Sequence, residues 1–427
     1  MRDGSHRPIL PRGVSYAAIS RAEMTLPFAP QNRSTPDSLR AMNRKRVLDS
    51  LRFQGAAARI ELAERTGLSP ATLTGIAGEL LDAGLIQEAP DGLFTPGMKR
   101  GRPRTVLQVN PDAAYAVGIK ISLHQAAVSL TNQMGDVLGT ATVPIRANRV
   151  SPQAIAEICR QRVEEIIQTA GIDPKLILGV GVGVPGFVGH PSGEVRWSPL
   201  FAARDVPFRA IVEAEIGLRT VVDNDANMAA LAEKWFGIGR RHSTFLVVTV
   251  EHGVGMGLVI DGVLYRGARG YGAEFGHTKV VAGGAPCRCG GFGCVEAYVS
   301  DYAIVRAAGV AGPDGAFDDP QQAHAAIEKL IEAADAGDER LAEIFRTAGT
   351  MLGTGISNLF SILDPSVVVL SGERTRSARV FFEAIRGAIQ GNPLVDEHHG
   401  IDIEINPWGD DLWARGAAAL VLEEIQV

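Results

Sequence analysis

The chain has 427 residues, 46% hydrophobic and 21% charged. That is the composition of a soluble protein of two or three domains, and it excludes wholesale disorder and collagen-like or coiled-coil fibres. The net charge of −6 is unevenly spread: residues 1–105 hold 16 Lys and Arg against 10 Asp and Glu, and the remainder holds 26 against 38. A basic head on an acidic body fits a nucleic-acid contact confined to one end. No apolar run reaches the roughly 18–20 residues that cross a bilayer. The first 35 residues lack a secretory apolar segment, so a cytoplasmic location without membrane insertion is expected.

In chain order, residues 1–36 are rich in Pro, Arg and Ser and are read as a flexible tail. Residues 37–110 form the first compact unit. Leu39, Met42, Val47, Leu48 and Leu51 recur at helical spacing. A second helix is expected near Arg59–Thr66, with Leu62 and Ala63 inward and Gly67 as its breaker. Ser69 as N-cap and Pro70 at the first helical position start a third, carrying Leu73, Ile76, Ala77 and Leu80 inward. Leu85-Ile86 and Leu93-Phe94 around Pro90-Asp91-Gly92 read as a hairpin, followed by the basic run Lys99-Arg100-Gly101-Arg102-Pro103-Arg104. Three helices and a basic hairpin make a winged helix-turn-helix, in which the small Ala63 lets two helices cross closely.

From residue 111 the rhythm changes. Strands are expected at Tyr115–Ile121, Ala126–Thr131 and Val137–Val143, a helix at Pro152–Thr169 and an apolar strand at Leu176–Val184. Val221-Val222 precedes a helix at Ala226–Phe236. Strands at Phe245–Val250 and Met256–Ile260 open a second set, helices dominate from Glu296 to Leu363, and a last strand lies at Val367–Leu370. This is an α/β body of two lobes, residues 111–240 and 241–427, each opening on consecutive strands. No internal repeat stands out.

The sharpest chemical constellation is His277 followed by Cys287-x-Cys289-Gly290-Gly291-x-Gly293-Cys294-x-Glu296. One imidazole and three thiolates make a closed tetrahedral set, which zinc prefers, and a closed set implies a structural ion. Three of the four cysteines fall within eight residues, too clustered for a disulfide framework. The plain alternative is three unliganded buried thiols.

Glu274-Phe275-Gly276-His277 and the cysteine run resemble the signature of the ROK family (repressors, open reading frames and kinases). So do the segment Gly181–Gly186, Asp223-Asn224-Asp225-Ala226-Asn227, Asn358-Leu359 and the segment Asp364–Gly372; the resemblance covers roughly residues 105–427, and the winged helix matches the family's sugar-responsive repressors. It implies an actin/hexokinase-like pair of RNase H-like lobes with ligand in the cleft between them. In the family's sugar kinases the matching positions hold sugar hydroxyls; here they are Asn224, Asp225, Glu274, His277 and Glu296. Buried amides and carboxylates left unpaired would penalise a wrong ligand. His277 can serve the metal through one nitrogen and a hydroxyl through the other. The alternative for Asp225 and Glu274 is a surface carboxylate or a helix cap.

The resemblance breaks where a kinase holds phosphate. The family's first phosphate loop reads Asp-x-Gly-Gly-Thr; here Lys120 stands at the Asp and no glycine pair follows. The second reads Gly-Thr-Gly-x-Gly; here it is Glu251-His252-Gly253-Val254-Gly255. Glu251 is expected to repel phosphate oxygens. Hence neither ATP nor a catalytic residue is expected, although Asp225 would be the base of a kinase. In the head, Ser69, Thr72 and Thr74 are expected to face DNA, with Arg100, Arg102 and Arg104 in a minor groove; Gly75 stands where the family often has a larger polar residue. A solvated linker competes for those arginines, and a protein-binding winged helix for the whole unit.

The sequence is therefore read as a transcriptional repressor of sugar genes, a dimer or tetramer on double-stranded operator DNA with a sugar or sugar-phosphate effector. The alternatives are an active ATP-dependent sugar kinase carrying a DNA-binding head, and a regulator controlled by a phosphorylated partner protein.

Overall fold

The computed structural model describes residues 36–90, 105–145, 150–310, 320–372, 375, 377–393, 402–406 and 409–425. The head opens with α1 (Pro36–Gln54), in which Val47, Leu48 and Leu51 are buried. Leu39 and Met42, expected on the same face, are 42% and 49% exposed. At that end α1 meets its neighbour through an Arg40–Glu79 ion pair rather than through apolar contact. After β1 (Ala57–Ala58), α2 (Arg59–Thr66) ends at Gly67 with φ of 66°, a left-handed cap that suits glycine. The Ser69 hydroxyl accepts from the Thr72 amide at 3.1 Å and starts α3 (Pro70–Asp82), with Leu73, Ile76, Ala77 and Leu80 inward as expected.

The strand that follows is β2 (Ile86–Glu88). Its partner is β3 (Val106–Val109), which also pairs with β1 to give the antiparallel order β1-β3-β2. Leu107 and Val109 alternate inward. Leu93, Phe94 and the basic run Lys99–Arg104 fall between β2 and β3, outside the described residues, as does the tail to residue 35.

The body holds two five-stranded sheets. The first comprises β4 (Tyr115–Ile121), β5 (Gln125–Asn132), β6 (Val137–Pro144), β7 (Ile177–Val184) and, beyond the short hairpin β8 (Phe187–Gly189) and β9 (Glu194–Trp197), β10 (Thr220–Asn224). Helices α4 (Pro152–Ala170) and α5 (Phe208–Ile216) make its crossovers, and α6 (Asp225–Phe236) leads to the second sheet. That sheet comprises β11 (Phe245–Val250), β12 (Val254–Ile260), β13 (Val263–Leu264), β14 (Val368–Ser371) and β15 (Ile403–Ile405). Between and after them run α7 (Glu296–Val299), α8 (Asp301–Ala308), α9 (Pro320–Asp335), α10 (Glu339–Leu363), α11 (Arg379–Gln390) and α12 (Asp410–Glu424).

The strand orders are β10-β7-β4-β5-β6 and β13-β12-β11-β14-β15. In each, three antiparallel strands are extended by two parallel ones on the side of the first strand. The duplication thus lies in topology rather than in sequence. Among the elements not foreseen are the hairpin β8–β9, α5, β13, α11, β15, which follows the expected last strand, and α12. Although α12 lies far along the chain, in the stretch assigned to the second lobe, it packs on the first sheet. Gly118 of β4 lies against the backbone of Ala414 and Ala418, and Gly181 of β7 against the Ala417 carbonyl, so closely that a Cβ at either glycine would overlap. Among the described residues no helix is long and apolar enough to cross a membrane.

Candidate functional site

The cleft forms where the ends of β7 and β10, the β11–β12 turn and the loop before α7 converge. All five residues expected to hold ligand, Asn224, Asp225, Glu274, His277 and Glu296, line one cavity. Sequence reasoning missed its aromatic wall, Phe187 and Trp197, with ring centroids 5.7 Å apart. Their one signal was proximity to the Pro185-Gly186 turn.

The five do not arrive equally free. Asn224, not Asp225, is the N-cap of α6: its side-chain oxygen accepts from the Ala226 amide at 2.8 Å, and its amide group donates to the Gly186 carbonyl at 2.8 Å. The Glu296 carboxylate accepts from the Val254 amide at 3.3 Å, from the Tyr302 hydroxyl at 3.3 Å and from the Cys287 thiol at 3.5 Å. It therefore ties the cavity wall to the cysteine loop. Asp225 and Glu274 keep more capacity. Burial raises the pKa of Asp225, with Lys120 opposing. Burial, then repulsion from Glu296 and Asp225, pushes Glu274 up to about 8. At neutral pH Glu274 is thus a protonated acid that can donate to a hydroxyl as well as accept.

This shift sets a pH dependence. Glu274 binds its proton in the folded chain up to about pH 8, whereas an unfolded Glu releases it near pH 4.5. Its contribution to stability is therefore full below pH 4.5 and declines as pH rises to 8. Glu274→Gln is expected to flatten that decline, read as melting temperature at pH 5 and pH 8; an unchanged slope would place the dependence elsewhere.

His277 and Cys287, Cys289 and Cys294 converge, with all four donor atoms within 4.8 Å of one another. Cys289 and Cys294 sulfurs are 3.8 Å apart, and Cys287 sulfur is 3.6 Å from His277 Nδ1. A tetrahedral ion with metal–sulfur bonds of about 2.3 Å separates its sulfurs by about 3.8 Å, the separation of Cys289 and Cys294, so the donor set suits such an ion in type and spacing. Lys279, which sequence reasoning missed, donates to Cys294 at 2.7 Å, as a cation would toward a thiolate. The Tyr302 hydroxyl, also missed, lies 3.6 Å from the Cys287 sulfur.

At the other end of the cleft the two departures from the kinase loops meet each other. Lys120, only 1% exposed, lies 3.2 Å from the Glu251 carboxylate and 2.5 Å from that of Asp410, the first residue of α12. Burial opposes the ammonium charge, but Glu251, Asp410 and Asp225 more than offset it and raise its pKa above the ordinary lysine value. The Trp413 ring covers it at 4.5 Å. This corrects the expected bare negative charge at Glu251: it is one arm of a buried ion-paired triad that ties β4, the β11–β12 turn and α12 together.

In the head, Ser69, Thr72 and Thr74 are exposed on the first turns of α3. Their hydroxyls already make local bonds: Ser69 with Thr72 at 2.8 Å, and Thr74 to the Pro70 carbonyl at 2.7 Å. The basic cluster Arg44-Lys45-Arg46 is not one outward patch. Lys45 points to the body and donates to the Glu423 carbonyl at 3.2 Å, and Arg46 donates to the Thr66 carbonyl at 3.3 Å. Arg100, Arg102 and Arg104 lie outside the described residues.

Comparison with known proteins was informative. The sequence model of the ROK family matches residues 116–424. A protein named xylose repressor from Caldicellulosiruptor bescii is 28% identical over 391 residues, 91% of this chain and 97% of that one. A crystal structure of a ROK family transcriptional regulator, a homologue of the Escherichia coli MLC protein, superposes with a TM-score of 0.73 at 24% identity, covering 90% of this chain and 97% of that one. A ROK family glucokinase from Streptomyces griseus, in complex with glucose and AMPPNP, superposes with a TM-score of 0.59 at 29% identity, covering 72% of this chain and 99% of that one.

Proposed function

The chain belongs to the ROK family, and on that premise we propose that it is a sugar-responsive transcriptional repressor, binding operator DNA through its head and a carbohydrate in its cleft. The observation that carries this reading is the pairing of an intact sugar-type end, Asn224, Asp225, Glu274, His277 and Glu296, with a phosphate-loop end filled by Lys120, Glu251 and Asp410. The likeness to a named repressor over 91% of the chain, head included, supports it.

Ser69, Thr72 and Thr74 meet base edges or phosphates by exchanging their local hydrogen bonds, and Arg100, Arg102 and Arg104 enter a minor groove. The chain acts in the cytoplasm as a homo-oligomer, a dimer or tetramer, on a palindromic operator. His277, Cys287, Cys289 and Cys294 hold zinc, which fixes the loop and the His277 ring; the ion is structural because four protein donors close its shell. The chain is no longer a kinase, and ATP is not its ligand.

A second reading, an active sugar kinase carrying a DNA-binding head, is favoured by the retained Asp225 and by the likeness to a glucokinase. Fluorescence anisotropy on labelled operator DNA, titrated with D-xylose, D-glucose, N-acetyl-D-glucosamine and their phosphates, tests the first reading. One of them is expected to change the operator Kd by about 5- to 150-fold, the usual range for coupled sites. No shift with any of them, together with ATP turnover on one, would favour the kinase.

A further inference from the structure

The cleft and the head are joined by two helices that run side by side through the body. Helix α6 starts in the cleft at Asn224-Asp225, and α12 starts at the Lys120 triad with Asp410. At about 1.5 Å per residue they extend about 18 Å and 22 Å. Gly416 of α12 lies on the Met228 carbonyl of α6 with no room for a side chain between them, so one helix cannot shift without the other.

Their far ends form the seat of the head. The Glu423 carboxylate accepts from Lys234 at 2.6 Å and from the Trp235 indole at 2.7 Å, while Lys45 of α1 donates to the Glu423 carbonyl at 3.2 Å. Arg52 of α1 covers the Trp235 ring at 5.2 Å, and Phe53 meets it edge-on at 5.3 Å. Arg52 also donates to the Gln133 carbonyl at 3.2 Å.

A polar chain crosses the same distance. Asp223, fully buried beside the cap residue Asn224, accepts from the Asn224 backbone N–H at 2.7 Å, from the Asn227 side-chain amide at 2.8 Å and from Arg266 at 2.6 Å. Arg266 donates onward to Glu424 at 3.0 Å, next to the Glu423 that seats Lys45. Neither Asp223 nor Arg266 lines the cleft.

We propose that Glu423 and Trp235 form an intramolecular docking site for α1 of the head, and that the Asp223–Arg266–Glu424 relay makes its occupancy follow the state of the cleft. The relay gives the sugar-responsive reading, on which this inference rests, its physical connection. A ligand that draws on the Asn224 side-chain amide competes with its Gly186 bond and displaces the start of α6, and with it the Asn224 backbone N–H on Asp223; the relay and the α6–α12 contact carry that displacement to the seat of Lys45 and Arg52.

The test needs neither sugar nor operator. Amide hydrogen exchange is measured on the full chain as wild type, Arg266→Met and Lys45→Met, with β11 as the internal standard for global stability. Arg266→Met is expected to raise exchange in α1 about tenfold while β11 is unchanged. Coupling is reciprocal, so Lys45→Met is expected to raise exchange across residues 223–227. Wild-type exchange in α1 of Arg266→Met, or at 223–227 in Lys45→Met, overturns the proposal. If Arg266→Met loosens β11 as well, the Lys45→Met result decides alone. A responsive relay with no sugar effect on operator binding would leave this inference standing and sink the repressor reading; the reverse outcome would sink only the inference.

Discussion

Replacing Lys120 with methionine is expected to destabilise the chain by about 3–5 kcal/mol, the range for removing one partner of a buried ion pair. Lys120 is 1% exposed, and the side chains of Glu251 and Asp410 are 15% and 10% exposed. Without the ammonium, two carboxylates and nearby Asp225 face each other with little water to screen them. Gln125 still donates to Asp410 at 2.7 Å, but one neutral hydrogen bond does not balance the lost charge. Burial would then drive Asp410, which Lys120 holds below the ordinary carboxylate range against that burial, toward its protonated form. Chemical denaturation measures the loss. Adding Glu251→Gln and Asp410→Asn to Lys120→Met is expected to recover most of it, because the cost lies in unpaired charge rather than in lost volume. A loss under 1 kcal/mol in the single variant would mean that the triad is not the ionised clamp described here.

The second large effect concerns the cysteine loop. Cys294 is fully buried and is one of the four donors. Cys294→Ala, or prolonged dialysis against a chelator, is expected to lower bound zinc from one ion per chain to none, as read by elemental analysis. The loop carries His277, and Glu296 follows Cys294 by only two residues, so both would lose their fixed orientation. Carbohydrate affinity is expected to fall about 10- to 100-fold, as when the groups that orient a site's residues are removed. Zinc-free wild-type protein with undiminished affinity would confine the metal to a role apart from the cleft.

Much of the cleft was legible because its residues sit in short contiguous motifs. The cysteines crowd one glycine-rich loop after His277, so spacing placed the metal set together, whereas Asn224, Asp225, Glu274 and Glu296 were placed by the motifs that carry the family resemblance. The third helix of the head was equally readable: the Ser69 cap, Pro70 and the inward Leu73, Ile76, Ala77 and Leu80 are local signals. What escaped was long-range pairing. Lys120 and Glu251 each stood out as a departure from the kinase loops, but the second carboxylate on Lys120, Asp410, lies 290 residues away, and nothing local marks an aspartate at a helix start as an ion-pair acceptor. The pairing of β2 with β3 was missed for the same reason, since the two strands are well separated along the chain. The return of α12 to the first sheet rests on Gly118 and Gly181, which read in the sequence as ordinary strand glycines. The cap role of Asn224 was missed because its neighbour Asp225 is an equally good capping residue by type.

The central claim, that the cleft grips a carbohydrate while its phosphate end is closed by an internal ion pair, is tested most directly by isothermal titration calorimetry on the full-length, zinc-loaded protein. The same sugar panel is titrated first and magnesium ATP second, with Glu274→Ala as the control. One carbohydrate is expected to bind with a stoichiometry of one per chain and to lose at least tenfold in affinity in the variant, while ATP gives no heat with or without that sugar. Saturable ATP binding, or a panel in which every sugar is silent, would contradict it.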